Sequence, residues 1–173
     1  MKIAIASLIT TLLAALAAQA GDFSDKLTDV HLCCPNCVKG VQKAVSEVPG
    51  VTASASEDEG TVTLTGSDKA TVQKAANALV AAGYFGKSSD PAIKLQSQTG
   101  AKDQKVTKLE IEGVHLCCGK CVKAVSKALG DVSGVTGNTA TKGAKSFTVN
   151  GDFNDKEVFA ALQKAGLTGQ VAK

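Results

Sequence analysis

Two hydrophobic rhythms alternate along this chain, and the order in which they alternate occurs twice. From Cys37 onward, Val38, Val41, Val45 and Val48 recur at helical spacing with Lys39, Lys43 and Glu47 between them, the signature of an amphipathic helix. Pro49-Gly50 ends it. Ahead of this helix, Lys26 to Leu32 reads as a short strand carrying Leu27, Val30 and Leu32. Behind it, Val51 to Ser56 and Thr61 to Thr65 are β-branched runs on either side of Glu57-Asp58-Glu59-Gly60, as a hairpin requires. Ser67 or Asp68 caps a second helix striped by Val72, Ala75, Ala76, Leu79 and Val80. Gly83 stops that helix, and Tyr84-Phe85 opens a last short strand. The order is βαββαβ.

Residues 88–104 lose this periodicity and gather Ser, Asp, Pro, Gln, Thr, Gly and Lys, which predicts a mobile linker. The pattern then returns. A strand lies around Val106 to Leu116, a helix rests on Val122, Val125 and Leu129, and strands run near Val135–Thr141 and Ser146–Asn150. A second helix spans Asp155 to Ala165, with Asn154 and Glu157 placed to cap it reciprocally. Gly166 stops it before a strand from Leu167 to Val171. Aligned without gaps, Val30–Val51 and Val114–Val135 share 14 of 22 residues, so the chain is an internal duplication. The expected architecture is α+β: two tandem ferredoxin-like βαββαβ domains at 21–87 and 105–173, joined by the linker.

Residues 1–20 follow a different logic. Lys2 supplies a positive start, Ile3 to Ala18 is an uncharged apolar run, and Ala18-Gln19-Ala20 is an A-x-A cleavage site, which together predict a secretory signal peptide. The run is short for a membrane span and no stop-transfer pattern follows, so no stable membrane insertion is expected after its removal. The expected location is the periplasm or the medium. There, the default fate of paired thiols is a disulfide.

Charge and composition narrow the function. The net charge is only +3, all of the basic residues are lysine, and there are five Phe, one Tyr and no Trp. That is poor material for binding nucleic acid. The six cysteines and both histidines, by contrast, all fall in two copies of one stretch, His31-Leu32-Cys33-Cys34-Pro35-Asn36-Cys37 and His115-Leu116-Cys117-Cys118-Gly119-Lys120-Cys121. Thiolates and imidazoles are the ligands of soft and borderline metals, and their concentration in H-x-C-C-x-x-C is the functional signal.

A C-x-x-C between a first strand and a first helix, a Gly-Val about a dozen residues on, and Ala82-Gly83-Tyr84 near the end of the unit resemble the heavy-metal-associated domain. That family includes copper chaperones, modules of metal-transporting ATPases and a periplasmic mercury-binding protein. The resemblance implies that Cys34 with Cys37, and Cys118 with Cys121, are the metal-binding pairs. It also implies a metal-transfer protein or transporter as partner.

The chain departs from the family's usual Gly-Met and variable residue before the first cysteine. It has His31, Leu32 and Cys33 in one copy and His115, Leu116 and Cys117 in the other. Strand alternation would put His31 and Cys33 on one face, with Leu32 turned into the core. The candidate ligands are therefore Cys34, Cys37, Cys118 and Cys121, joined by Cys33 and Cys117 and then by His31 and His115. Two thiolates suit Cu(I) or Hg(II), while three with an imidazole approach the tetrahedral set of Zn(II); Cu(I) is the leading choice.

Other readings stand beside this one. The C-x-x-C pairs can be structural disulfides, or the cysteines of a thiol-disulfide exchange protein, although no thioredoxin-like unit precedes them and nothing else in the sequence points to an enzyme. The histidines can be merely solvated. Lys39, Lys43 and Lys123 read first as a solvated helix face, and Tyr84, replaced by Leu167 in the second copy, as a packing residue. Finally, the two domains can bind independently or close on one shared metal. Independent sites would lose one equivalent when Cys34 and Cys37 become serine.

Overall fold

The computed structural model describes residues 22–173, so the signal-peptide expectation lies outside the described residues. Two βαββαβ units follow one another. The first comprises β1 (Phe23–Thr28), α1 (Pro35–Ser46), β2 (Val51–Ser56), β3 (Thr61–Gly66), α2 (Lys69–Ala81) and β4 (Lys87–Ser88). The second comprises β5 (Lys105–Glu112), α3 (Gly119–Gly130), β6 (Val135–Asn138), β7 (Ser146–Asn154), α4 (Asp155–Lys164) and β8 (Gln170–Val171). Each unit forms an antiparallel four-stranded sheet, in the orders β2-β3-β1-β4 and β6-β7-β5-β8. These are the two ferredoxin-like α+β domains that the alternating rhythms predict.

Each helix buries its apolar stripe on its own sheet. In α1 the buried side chains are Cys37, Val41, Ala44 and Val45, which face Leu27, Val62 and Leu64 in one core; in α3 they are Cys121, Val125, Ala128 and Leu129. Asp68 caps α2 by accepting from the Thr71 N–H at 2.7 Å. Asn154 caps α4 by accepting from Lys156 N, but its own amide is held by Asp103 at 3.0 Å, and the reciprocal bond from Glu157 does not form.

Two expectations are corrected. The first strand of each copy stops at Thr28 or Glu112, well short of the leucine before the cysteines. The cause is the next residue in each case, Asp29 (φ 59°) and Gly113 (φ 79°), whose left-handed backbone turns the chain out of the sheet. The loop that follows is irregular, and this freedom lets it bend over the helix end.

The segment expected to be loose is strapped down instead. Buried Asp25 accepts from the hydroxyls of Ser88 and Ser89 and from Asp90 N, which fastens one end. Buried Asp155 accepts from the backbone N–H groups of Lys102 and Gln104 and fastens the other. Between them Ile93 is 3% exposed, Gln73 bonds both the N–H and the carbonyl of Lys94, and Thr99 accepts from Val171 N. A polar composition does not reveal such anchoring, because the carboxylates that provide it lie dozens of residues away.

The strap holds the domains against each other. Backbone bonds join them: Thr168 N donates to Gly83 O at 3.0 Å, while His31 N and Phe85 N both donate to Gly166 O, at 3.2 and 3.1 Å. Gly83 (φ 86°) and Gly166 (φ 76°) occupy matching places, each pressed on the backbone that leads into the other domain's histidine. A β-carbon at either would overlap that backbone, so the two stop glycines also permit the close approach of the domains.

Candidate metal centre

The cysteine loops lie at this contact. Leu32 and Leu116, 5% and 4% exposed, plug the two cores and carry their neighbours over the helix starts. Helix α1 begins at Pro35 and α3 at Gly119, each N-capped by a cysteine, Cys34 or Cys118, whose side chain makes no capping hydrogen bond. Proline suits this first position because its missing N–H has no partner there in any case. The helices thus start two residues before the cysteine that the apolar rhythm alone marks. Cys37 and Cys121 then fall in the first turn, fully buried, where unpaired N–H groups and the helix dipole favour a thiolate.

Within each loop the three sulfurs converge. Cys37 Sγ lies 3.7 Å from Cys33 Sγ and 3.8 Å from Cys34 Sγ, and Cys121 Sγ lies 3.7 Å from both Cys117 and Cys118. The loops also converge on each other. Cys33 Sγ is 3.4 Å from both Cys118 and Cys121; Cys117 Sγ is 3.4 Å from Cys37 and 3.6 Å from Cys34; and Cys37 and Cys121 are 3.9 Å apart. All six thiols are free. Sulfurs bound to one ion at about 2.3 Å in a tetrahedral set sit about 3.8 Å apart, so these separations match those of ligands around a metal.

The two C-x-x-C pairs therefore do not form two remote sites. All six cysteines predicted as ligands meet in one cluster, with the two loops closed on each other. His31 and Cys33 do reach the same face while Leu32 points inward, although the backbone between them is loop rather than strand.

The histidines part company. A ring nitrogen of His31 lies within 4.8 Å of Cys33 and Cys121 Sγ, and its Nε2 is buried with no hydrogen-bond partner. His115 is engaged by Tyr84, whose hydroxyl donates to Cys37 O at 2.8 Å and lies 3.1 Å from His115 Nε2. A phenol has one proton to give. With that proton on Cys37 O, His115 Nε2–H is the donor to the tyrosine oxygen. The two rings also stack, with centroids 4.5 Å apart.

Tyr84, 1% exposed, is thus a positioning residue of the centre as well as a packing one. It reaches there over Gly40, whose missing side chain leaves the room its hydroxyl occupies. Position 40 corresponds to Ala124 in the second copy and Tyr84 to Leu167, a paired difference in the sequence that could have revealed the contact.

Packing six thiols together sets their proton affinities against one another. Burial, and then donation to Cys118, pushes Cys33 up to about 12, and burial raises Cys117 as well. Donation from Cys121 to Cys37 keeps the Cys37 sulfur well below the usual thiol range and raises Cys121 in turn. Burial works against the Cys118 thiolate, yet the N–H of Cys121 and the Cys33 thiol bring it down to about 6. Without metal such a cluster is part thiol and part thiolate, and an entering ion must displace protons. Burial lowers His31, which keeps its imidazole in the neutral, ligating form at pH 7.

Comparison with known proteins finds a family match in the first domain. Residues 29–85 match the heavy-metal-associated domain. Similar solved structures include the N-terminal soluble domains of Bacillus subtilis CopA, at 15% identity over 88% of this chain and 95% of that one, with a TM-score of 0.34. They also include the apo heavy-metal-associated domain of the copper chaperone for superoxide dismutase, at 27% identity over 49% and 85%, with a TM-score of 0.35. A copper-binding domain of the P-type ATPase HMA7 is similar at 19% identity over 39% and 96%, with a TM-score of 0.36. No curated protein matches the chain. The family match thus falls on the first domain, and the second domain repeats that domain's elements and its cysteine loop.

Proposed function

We propose that this chain is an exported binding protein for a soft metal ion, Cu(I) before Zn(II) or Hg(II), that captures, buffers or hands over its cargo through cysteine thiolates. The observation that carries this reading is the convergence of Cys33, Cys34, Cys37, Cys117, Cys118 and Cys121 with sulfurs 3.4–3.9 Å apart and none joined in a disulfide. A set of six sulfurs favours a thiophilic ion over the hard cations that seek oxygen.

Uptake proceeds by ligand exchange. An incoming ion forms a bond to a thiolate of this chain as it breaks one to its carrier, and the carrier sulfur gains the proton that the cysteine loses. Cys34 and Cys118, the partly exposed first cysteines of the two pairs, are placed to make the first bond, and buried Cys37 and Cys121 complete it. The partner class is another thiolate metal carrier or a transporter module.

The test is competition between the reduced mature chain and a chromogenic Cu(I) chelator, repeated with Zn(II). Transfer of Cu(I) from the chelator to the protein supports the reading. A chain that leaves the chelator fully loaded in both titrations overturns it.

A further inference from the structure

Resting on the soft-metal reading, we infer that the six cysteines and His31 build one polynuclear site, in which bridging sulfurs hold several ions between the domains, and that His115 is a positioning residue and no ligand. The argument begins with how the donors are shared. Four groups of three donors lie within 4.8 Å: His31, Cys33 and Cys121; Cys33, Cys34 and Cys118; Cys34, Cys37 and Cys117; and Cys117, Cys118 and Cys121. Three of the four contain residues from both domains.

These groups overlap in a regular way. Of the twelve donor positions in four triads, Cys33, Cys34, Cys117, Cys118 and Cys121 each fill two, while Cys37 and His31 each fill one. A thiolate sulfur keeps lone pairs after its first metal bond and can bridge two ions, whereas an imidazole nitrogen has one lone pair and can only end a chain of bridges. The donor types therefore match the number of positions they fill: every residue counted twice is a cysteine, and the single histidine is counted once.

Charge favours the same arrangement. Six thiolates around one ion would leave a large negative charge at a half-buried contact, and a net charge of that size is costly to desolvate. Four monovalent ions would reduce the excess to two. Sharing among several ions is the way this cluster approaches neutrality.

The histidines are assigned by their partners. His31 Nε2 is buried and unsatisfied, a costly condition that a metal bond or a proton donor would relieve. His115 Nε2 is already committed to the Tyr84 hydroxyl, and His115 belongs to none of the four triads. Its place under the tyrosine ring instead fixes the wall beside Cys37.

The deciding experiment is anaerobic Cu(I) titration of the reduced mature chain, followed by native mass spectrometry and copper X-ray absorption. Species with three or four ions per chain and a short copper–copper distance are expected. A limit of two ions per chain with no copper–copper distance would overturn the shared site while leaving metal binding itself intact, and the absence of any bound copper would overturn both readings. His31→Ala is expected to lose one ion or to weaken the last one by about tenfold or more, with His115→Ala keeping the parent stoichiometry. Equal losses in the two variants would overturn the division between the histidines. Because the parent chain alone answers the question of stoichiometry, that answer does not depend on how any variant folds.

Discussion

The two domains share a loop, a fold and a backbone contact, yet one tyrosine makes them chemically different. In the first, Gly40 makes room for Tyr84, which leans across the interface and engages the second domain's His115. In the second, Ala124 and Leu167 replace that pair, and His31 keeps a buried nitrogen with nothing to bond. Identical motifs in a duplicated domain can therefore leave one histidine engaged and the other without a partner. The difference is set by what the opposite domain presents to each.

The most severe way to break the pairing of the domains is to remove a sulfur. Cys37→Ser and Cys121→Ser, made separately, are each expected to deplete metal from the whole centre, with total bound Cu(I) in the native mass spectrum falling by more than one equivalent. Two independent sites would instead lose one equivalent and retain the other in full.

Next come the contact glycines. Gly83→Ala and Gly166→Ala each add a methyl where φ is positive and the partner domain's backbone is close, so each should destabilise the docked form by about 1 kcal/mol or more. Thermal unfolding measures the cost. A matched drop in the two variants would confirm the symmetry of the contact, and a drop in only one would confine the two-fold likeness to the cysteine loops.

A smaller effect tests the asymmetry directly. Without metal, His115→Ala should cost about 1 kcal/mol through the lost Tyr84 bond, while His31→Ala, which removes an unsatisfied nitrogen, should cost little or even stabilise. The double change Gly40→Ala with Tyr84→Leu installs the second domain's pair in the first. It should leave His115 as unpartnered as His31, and its chemical shifts should then move toward those of His31.

The smallest effect belongs to the periphery. The N–H of Thr71 on Asp68, the Lys69 ammonium on Asp90, and Asn154 with Lys156 on Asp103 hold these carboxyls below their ordinary range. Groups depressed in this way add stability above their unfolded value near pH 4 and lose it as the pH falls through the lower folded values. Stability measured between pH 5 and pH 2 should therefore decline slightly, and Asp68→Asn should flatten part of that decline. Since Asp68 and Asp103 are exposed and Asp90 is still partly so, the change is minor beside the losses above.

Local spacing along the chain encodes the elements and the candidate ligands. The two rhythms of apolar residues place four helices and most strands, because a helix or strand buries its stripe at a fixed period. The doubled H-x-C-C-x-x-C marks the candidate ligand residues, because few other roles gather every thiol and imidazole of a chain. Local conformation overrides periodicity in places: Asp29 and Gly113 turn left-handed and end the first strands early, and Pro35 starts its helix two residues ahead.

Tertiary structure alone decided the rest. Asp25 and Asp155 convert a polar linker into a strap by hydrogen bonds across 51 to 65 positions, and a pair of glycines lets two backbones touch. Sulfurs eighty or more residues apart come within 3.4 Å only as a result of that docking. Periodicity describes a residue's relation to its own element. Which donors face one another depends on contacts between elements distant in the chain, and those alone turn two cysteine loops into one centre.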